Sequence, residues 1–276
     1  MPDYRLIALD LDGTLLDSQK RLSPANAAAL AAAAERGIQI VPTTGRFFEG
    51  MPEVIRSLPY LRYAITINGA QVQDIQNGEV LYRAELPWRR AVEIMAYLDT
   101  LPVIYDCYAA NWGWMTRAMQ ERADDFVPDA HYRKMIRALR TPVEELKQYL
   151  TEREMDVQKL QLFTPDPSQR PALIAELERR FPDIVASSSI PNNVEINAAG
   201  ANKGAAIRAL AEHLGLTMAQ TVAFGDGSND LSMICDCGLG VAMANACDAV
   251  LSAANRVTAS CDEDGVALVL NEILKS

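Results

Sequence analysis

Short apolar runs that stop abruptly at polar clusters recur along this chain, and their lengths separate strands from helices. Leu6-Ile7-Ala8-Leu9 ends at Asp10-Leu11-Asp12-Gly13-Thr14, so a buried strand delivers two carboxylates, one residue apart, to a turn. Ser23 followed by Pro24 opens an alanine-rich helix that Gly37 closes. Ile38-Gln39-Ile40-Val41 gives a second strand, and Pro42, which cannot donate to a ladder, marks where its pairing stops. A third strand over 63–67 ends at Asn68-Gly69-Ala70. Asn77-Gly78 then predicts a hairpin between 71–73 and 80–82.

The last third follows the same grammar. A strand around Val194-Glu195-Ile196 precedes Lys203-Gly204, which opens a helix running to His213. Thr221-Val222-Ala223-Phe224 ends at Gly225-Asp226-Gly227-Ser228-Asn229-Asp230, and Gly240-Val241-Ala242-Met243 precedes a final helix from about Gly265. The middle differs. Thr141-Pro142-Val143-Glu144 and Asp166-Pro167-Ser168-Gln169 each predict a capped helix start, and 157–163 alternates as a strand should. The expectation is an α/β chain whose doubly wound, Rossmann-like parallel-sheet core spans 1–83 and 191–276. A small α+β domain is inserted at 84–190.

Composition narrows the class without choosing a chemistry. With 276 residues, 49% hydrophobic and 22% charged, the chain is globular and can bury a sizeable core. No apolar stretch approaches the roughly 20 residues that span a bilayer. The opening residues lead straight into a strand with no signal-peptide pattern, so a cytoplasmic protein is expected. A net charge of −10 argues against general affinity for nucleic acid or anionic membranes. The five cysteines lack paired ligand spacing and are expected to be buried free thiols.

Four separated segments place polar groups where a strand ends or a helix begins: Asp10 with Asp12, Thr44, Lys203, and Asp226 with Asn229 and Asp230. Each alone reads as a turn, a loop, a solvated charge or a cap. At strand ends of one doubly wound sheet they would converge on one crevice, where such folds bind ligands. Two carboxylates at one strand end suit a carboxylate attacking phosphorus, and the acidic surroundings then require a local cation.

The motifs Asp10-Leu11-Asp12-Gly13-Thr14-Leu15, Thr44-Gly45-Arg46, Asn68-Gly69-Ala70, Lys203-Gly204 and Gly225-Asp226-Gly227-Ser228-Asn229-Asp230 carry a resemblance. So do 238–246 and Asp264-Gly265-Val266-Ala267. The chain resembles the haloacid dehalogenase-like (HAD) phosphohydrolase superfamily, in particular its Cof-type members with a large α/β cap (subclass IIB). By that resemblance Asp10 is the nucleophile and Asp12 the general acid and base. Mg²⁺ would be held by Asp10, Asp226 and the Asp12 backbone carbonyl, with Asp230 orienting the site. Lys203, Thr44, Gly45 and Asn229 would bind the phosphate, while Arg46 and Asn68 either contact substrate or stabilise loops. Ala244, where glycine is expected, and Pro42 depart from the family pattern without touching this chemistry.

The implied activity is phosphate release from a small phosphorylated metabolite, a sugar phosphate or a phosphorylated cofactor, by a monomer or small homo-oligomer. A phosphohexomutase uses the same motifs and is the alternative. A phospho-aspartate receiver module is shorter and lacks a second Asp two positions on. A dinucleotide-binding enzyme would carry GxGxxG after the first strand. Specificity would come from the inserted domain, where Tyr105, Tyr108, Trp112, Trp114, His131, Arg133, Lys134 and Lys159 are candidate contacts.

Overall fold

A computed structural model describes residues 3–188, 190 and 192–275, the side chain of His131 excepted. The first strand, Leu6–Leu9, is wholly buried within a five-stranded sheet. The order is Arg256–Val257, Leu239–Ala242, Thr221–Gly225, Leu6–Leu9, Gln39–Pro42, and every pairing is parallel. Apolar strands of this kind must be covered on both faces. Ile7 and Leu9 join Val222, Phe224 and Val241 in one core, beside the helices Pro24–Glu35 and Gly265–Lys275. Leu6 and Ala8 join Val41, Ala223 and Ala242 in a second core, beside Lys203–His213 and Leu231–Asp236. One strand thus feeds two cores through its alternating side chains, which is the three-layer α/β arrangement.

Local signals fix several boundaries. The Ser23 hydroxyl accepts the Asn26 amide, with Pro24 as the first helical residue. Leu9 pairs with Pro42 at the end of that register. Tyr63–Thr66, Gln71–Asp74 and Val80–Arg83 form an antiparallel three-stranded sheet, with Asn77-Gly78 in the second turn.

The chain divides into two compact units, Met1–Arg83 with Asn202–Ser276, and Ala84–Ala201. The second holds a six-stranded sheet ordered Ile184–Ser187, Asn193–Ala198, Lys159–Phe163, Ile104–Ala109, Trp112–Thr116, Arg140–Val143. Helices Trp88–Leu98, Leu146–Glu152 and Arg170–Arg180 cover one face through Ile94, Leu150 and Leu177.

Three sequence expectations change. The strand through Val194 and Ile196, assigned to the outer domain, pairs antiparallel with Leu162 and Leu160 inside the second unit's sheet. Alternation identifies a strand but not its partner, so the boundary expected at residue 191 moves to Asn202. The capping box at Thr141 is instead an edge strand: Thr141 pairs with Trp114, and its hydroxyl accepts the Trp112 indole N–H at 2.8 Å. An edge position tolerates Pro142, and the helix starts at Leu146. Finally, Cys107, Cys237 and Cys261 are buried, but Cys235 and Cys247 are exposed.

Candidate active site

The parallel sheet sets the site. From Leu6–Leu9 the chain moves outward to Gln39–Pro42, whereas the later strands build on the opposite side through Thr221–Gly225. These two directions part between neighbouring strands, which opens a crevice at their carboxyl ends. Leu9 registers with Phe224, so Asp10 and Asp226 leave adjacent strand ends. The Asp10 amide donates to the Phe224 carbonyl at 3.0 Å, and its carbonyl accepts the Leu15 amide at 3.2 Å.

Lys203 is the first residue of a helix capped by Asn202, whose side chain accepts the Ala205 amide. Its side chain is completely buried, and Nζ donates to Asp10 Oδ1 at 2.6 Å and Asp230 Oδ1 at 2.5 Å. The other Asp230 oxygen accepts the amides of Asp226 and Gly227, each at 2.9 Å. Both oxygens are thereby engaged, and Asp230 shapes the 225–230 turn while countering Lys203. Asp226 Oδ1 accepts the Thr14 hydroxyl at 2.6 Å. Gly13 makes room for this: at φ +90° a side chain is strained, and a Cβ would lie 2.5 Å from Asp226 Oδ2.

Asp12 faces different partners. Arg46 grips it with a two-pronged fork, Nε to Oδ2 at 2.7 Å and Nη2 to Oδ1 at 2.9 Å, and Lys20 Nζ lies 2.9 Å from Oδ1. A bidentate guanidinium pair of this kind is strong and directional. Thr44 is buried, and its hydroxyl accepts the Arg46 amide at 3.2 Å. Asn68 closes the group: its amide donates to the Thr44 carbonyl at 3.0 Å, and its Oδ1 accepts Asn229 Nδ2 at 3.2 Å. It also abuts Gly45.

Three clusters therefore form: Asp10, Lys203, Asp230, Asp226; Asp12 with Arg46; and Thr44, Gly45, Asn68, Asn229. Sequence reasoning missed Thr14 and Lys20. Thr14 belongs to the first motif, but its contact follows from the Gly13 turn; Lys20 reads as an ordinary loop lysine. In the second unit, Tyr105 and Tyr108 are buried, Lys159 pairs with Glu195 at 3.1 Å, and Arg133 pairs with Asp124 at 3.0 Å. The side chain of His131 lies outside the described part.

Charge settles what the first cluster can hold. Oxygen atoms of Asp10, Asp226 and Asp230 lie within 4.8 Å of one another. Hard carboxylate donors in that grouping fit a divalent cation such as Mg²⁺. Burial pushes the Asp10 carboxyl well above its ordinary range, with Lys203 opposing and Asp230 and Asp226 adding to the rise. Burial, then the Asp230 charge, lifts Asp226 from 3.8 to about 6 against the Thr14 hydrogen bond. Burial also acts to raise Asp12, but the Arg46 hydrogen bond and the Arg46 and Lys20 charges outweigh it and hold the carboxyl low. Lys203 is lifted by its two carboxylates despite a burial effect of opposite sign.

A stability test follows for Asp226. A carboxyl raised in the folded state contributes stability below 3.8 that is lost as pH climbs through about 6. In chelator, Asp226→Asn should therefore melt above the wild type at about pH 7, with the gap closing toward about pH 4. The Asn carbonyl can still accept from Thr14. A gap that does not change with pH would contradict the repulsion assigned to this cluster.

A family model described as haloacid dehalogenase-like hydrolase matches residues 7–270. The 5-amino-6-(5-phospho-D-ribitylamino)uracil phosphatase YcsE of Bacillus subtilis is 31% identical over 265 residues, covering 96% of this chain and 94% of that protein. An HMP-PP phosphatase of Serratia proteamaculans is 30% identical, covering 99% and 96%. Among solved structures, a haloacid dehalogenase-like hydrolase from B. subtilis superposes with a TM-score of 0.82 at 28% identity, covering 98% of this chain and 99% of that one.

Proposed function

The chain belongs to the haloacid dehalogenase-like hydrolases, in their Cof-type branch, and from that premise we propose a Mg²⁺-dependent phosphatase of small phosphorylated metabolites that works through an aspartyl-phosphate on Asp10. The observation that carries this reading is the buried Lys203 ammonium bridging Asp10 and Asp230 beside Asp226. A buried cation clamped on a strand-end carboxylate offers little stability compared with apolar packing. It is well suited to drawing a phosphate dianion toward a carboxylate that would otherwise repel it.

In the proposed chemistry an Asp10 oxygen bonds to phosphorus while the bond to the leaving oxygen breaks, and Asp12 gives that oxygen a proton. Asp12, now ionised, takes a proton from water as the water attacks phosphorus, which frees phosphate and restores Asp10. The Arg46 fork favours the ionised form that this second step uses, and the first step draws on the less populated protonated form, its proton taken up from solvent. Thr44, Gly45, Asn229 and Lys203 hold phosphate oxygens. Mg²⁺, held by Asp10, Asp226 and the Asp12 carbonyl, would supply positive charge that offsets the repulsion between carboxylate and phosphate.

The second unit is read as the specificity domain that selects the organic part of the substrate. The relatives' named phosphatase activities support small phosphorylated metabolites as substrates, and sugar phosphates or phosphorylated cofactors are the classes proposed. No helix among the described residues is long and apolar enough to cross a membrane, and the proposed site of action is the cytoplasm.

A panel of phosphorylated metabolites assayed for free phosphate tests the reading. Release is expected with Mg²⁺, is lost in excess chelator, and returns when Mg²⁺ is restored. Full rate in chelator, or an isomerised sugar phosphate with no free phosphate, would overturn it.

A further inference from the structure

We infer that Asn68 is a positioning residue: the left-handed turn that carries it, and its side-chain oxygen, set the phosphate-binding groups of three separate segments against one another. The inference rests on the phosphatase reading of the site and adds a role that the chemistry above leaves unassigned.

The backbone here is unusual. Ile67, Asn68 and Gly69 all take positive φ, at 53°, 58° and 92°. Asparagine tolerates that region, but a β-branched residue such as isoleucine is a genuine outlier in it. Strain of this kind persists only where the surroundings over-determine it, and it concentrates at functional sites. The surroundings are explicit. The Ile67 amide donates to the Arg46 carbonyl at 2.9 Å and the Asn68 amide to the Thr44 carbonyl at 3.0 Å, so the turn grips the Thr44-Gly45-Arg46 loop. Gly69 sits so close to the cap of the Lys203 helix that a Cβ would lie 2.3 Å from the Asn202 carbonyl oxygen and 2.9 Å from the Lys203 nitrogen.

The Asn68 side chain connects the remaining segment. Its Oδ1 accepts Asn229 Nδ2, and a Cβ on Gly45 would lie 2.7 Å from that same oxygen. One atom therefore fills the space that glycine leaves at position 45 and orients the Asn229 amide. Asn68 is only 4% exposed, and this engagement makes it act on phosphate through Gly45 and Asn229.

Asn68→Gly separates the side chain from the turn, because glycine keeps the left-handed backbone and removes the oxygen. Asn68→Gly and Asn229→Ala are each expected to lower kcat/KM on the order of 10²-fold, the effect of a small misplacement in a positioned site. Each should also weaken competitive inhibition by inorganic phosphate while leaving the melting temperature nearly unchanged. The double variant should lose less than the two single losses multiplied together, since both changes break the Asn68–Asn229 link. Gly45→Ala displaces the same atom without substituting residue 68: it should cost activity in the wild type and less in Asn229→Ala. That second pair keeps the test open if Asn68→Gly does not fold. Wild-type activity in Asn68→Gly, or losses that multiply in either pair, would overturn the inference. Phosphate release by the wild-type enzyme is measured alongside, so a failure here leaves the phosphatase reading standing, whereas absence of release removes both.

Discussion

Asp10→Asn should release phosphate on the order of 10⁴-fold more slowly, or worse, and still fold. The change removes one oxygen's nucleophilicity and little else. The asparagine carbonyl can still accept from Lys203, which keeps its second partner, Asp230. Burial is what pushes the Asp10 carboxyl up, so a neutral isostere relieves a charge the fold tolerates poorly. At neutral pH in chelator the variant is therefore expected to melt at or above the wild type. Loss of turnover with a gain in stability is the signature of a residue held for chemistry, because a structural carboxylate would lose both. Turnover within tenfold of wild type would remove Asp10 from the nucleophile role. A large drop in melting temperature would instead assign it to the fold.

How far the sequence revealed this site depends on how local each contact is. Asp10, Asp226 and Lys203 were legible because each stands next to a boundary that composition marks: an apolar run that stops, or a helix that starts. Register then carries them together, since parallel pairing of Leu9 with Phe224 is what any doubly wound sheet would produce. The Asp12–Arg46 fork was not legible. Its partners lie on different loops, and nothing in either motif says that the guanidinium turns inward to a carboxylate instead of outward to substrate. Thr14 and Lys20 escaped for the same reason. Their contacts depend on a glycine at φ +90° and on the course of a loop, neither of which leaves a periodic trace.

The fold shows the same division. Strand existence was readable at Val194 and Ile196, but the partner was not, because an apolar strand face fits any sheet that offers a groove. At Thr141 two local rules competed. Thr-x-x-Glu favours a helix start, whereas β-branched Thr141 and Val143 beside Trp112 and Trp114 favour pairing; the sheet prevailed. The pair Lys159–Glu195, both buried, carried no sequence mark at all. Distant charges find each other only once strands are in register.

Removing the Lys203 ammonium should hurt both activity and stability, which distinguishes it from Asp10. Lys203→Ala leaves Asp10 and Asp230 facing each other, buried, with Asp226 nearby and no counter-charge from the chain at that point. Breaking a buried ion pair from one side costs about 3–5 kcal/mol, because the surviving charges keep their desolvation without their partner. The cost should be largest near neutral pH and shrink in acid, where the stranded carboxylates take up protons. Activity should fall by on the order of 10³-fold, comparable to losing a preorganised charge at a transition state. The substitution also leaves a void the size of a short amine. Propylammonium, which matches the atoms removed, should refill it and recover part of the rate, whereas an uncharged molecule of the same length should not. Turnover within tenfold of wild type in Lys203→Ala, without added amine, would show that phosphate is drawn to Asp10 without this cation, and the electrostatic basis of the site would have to be placed elsewhere.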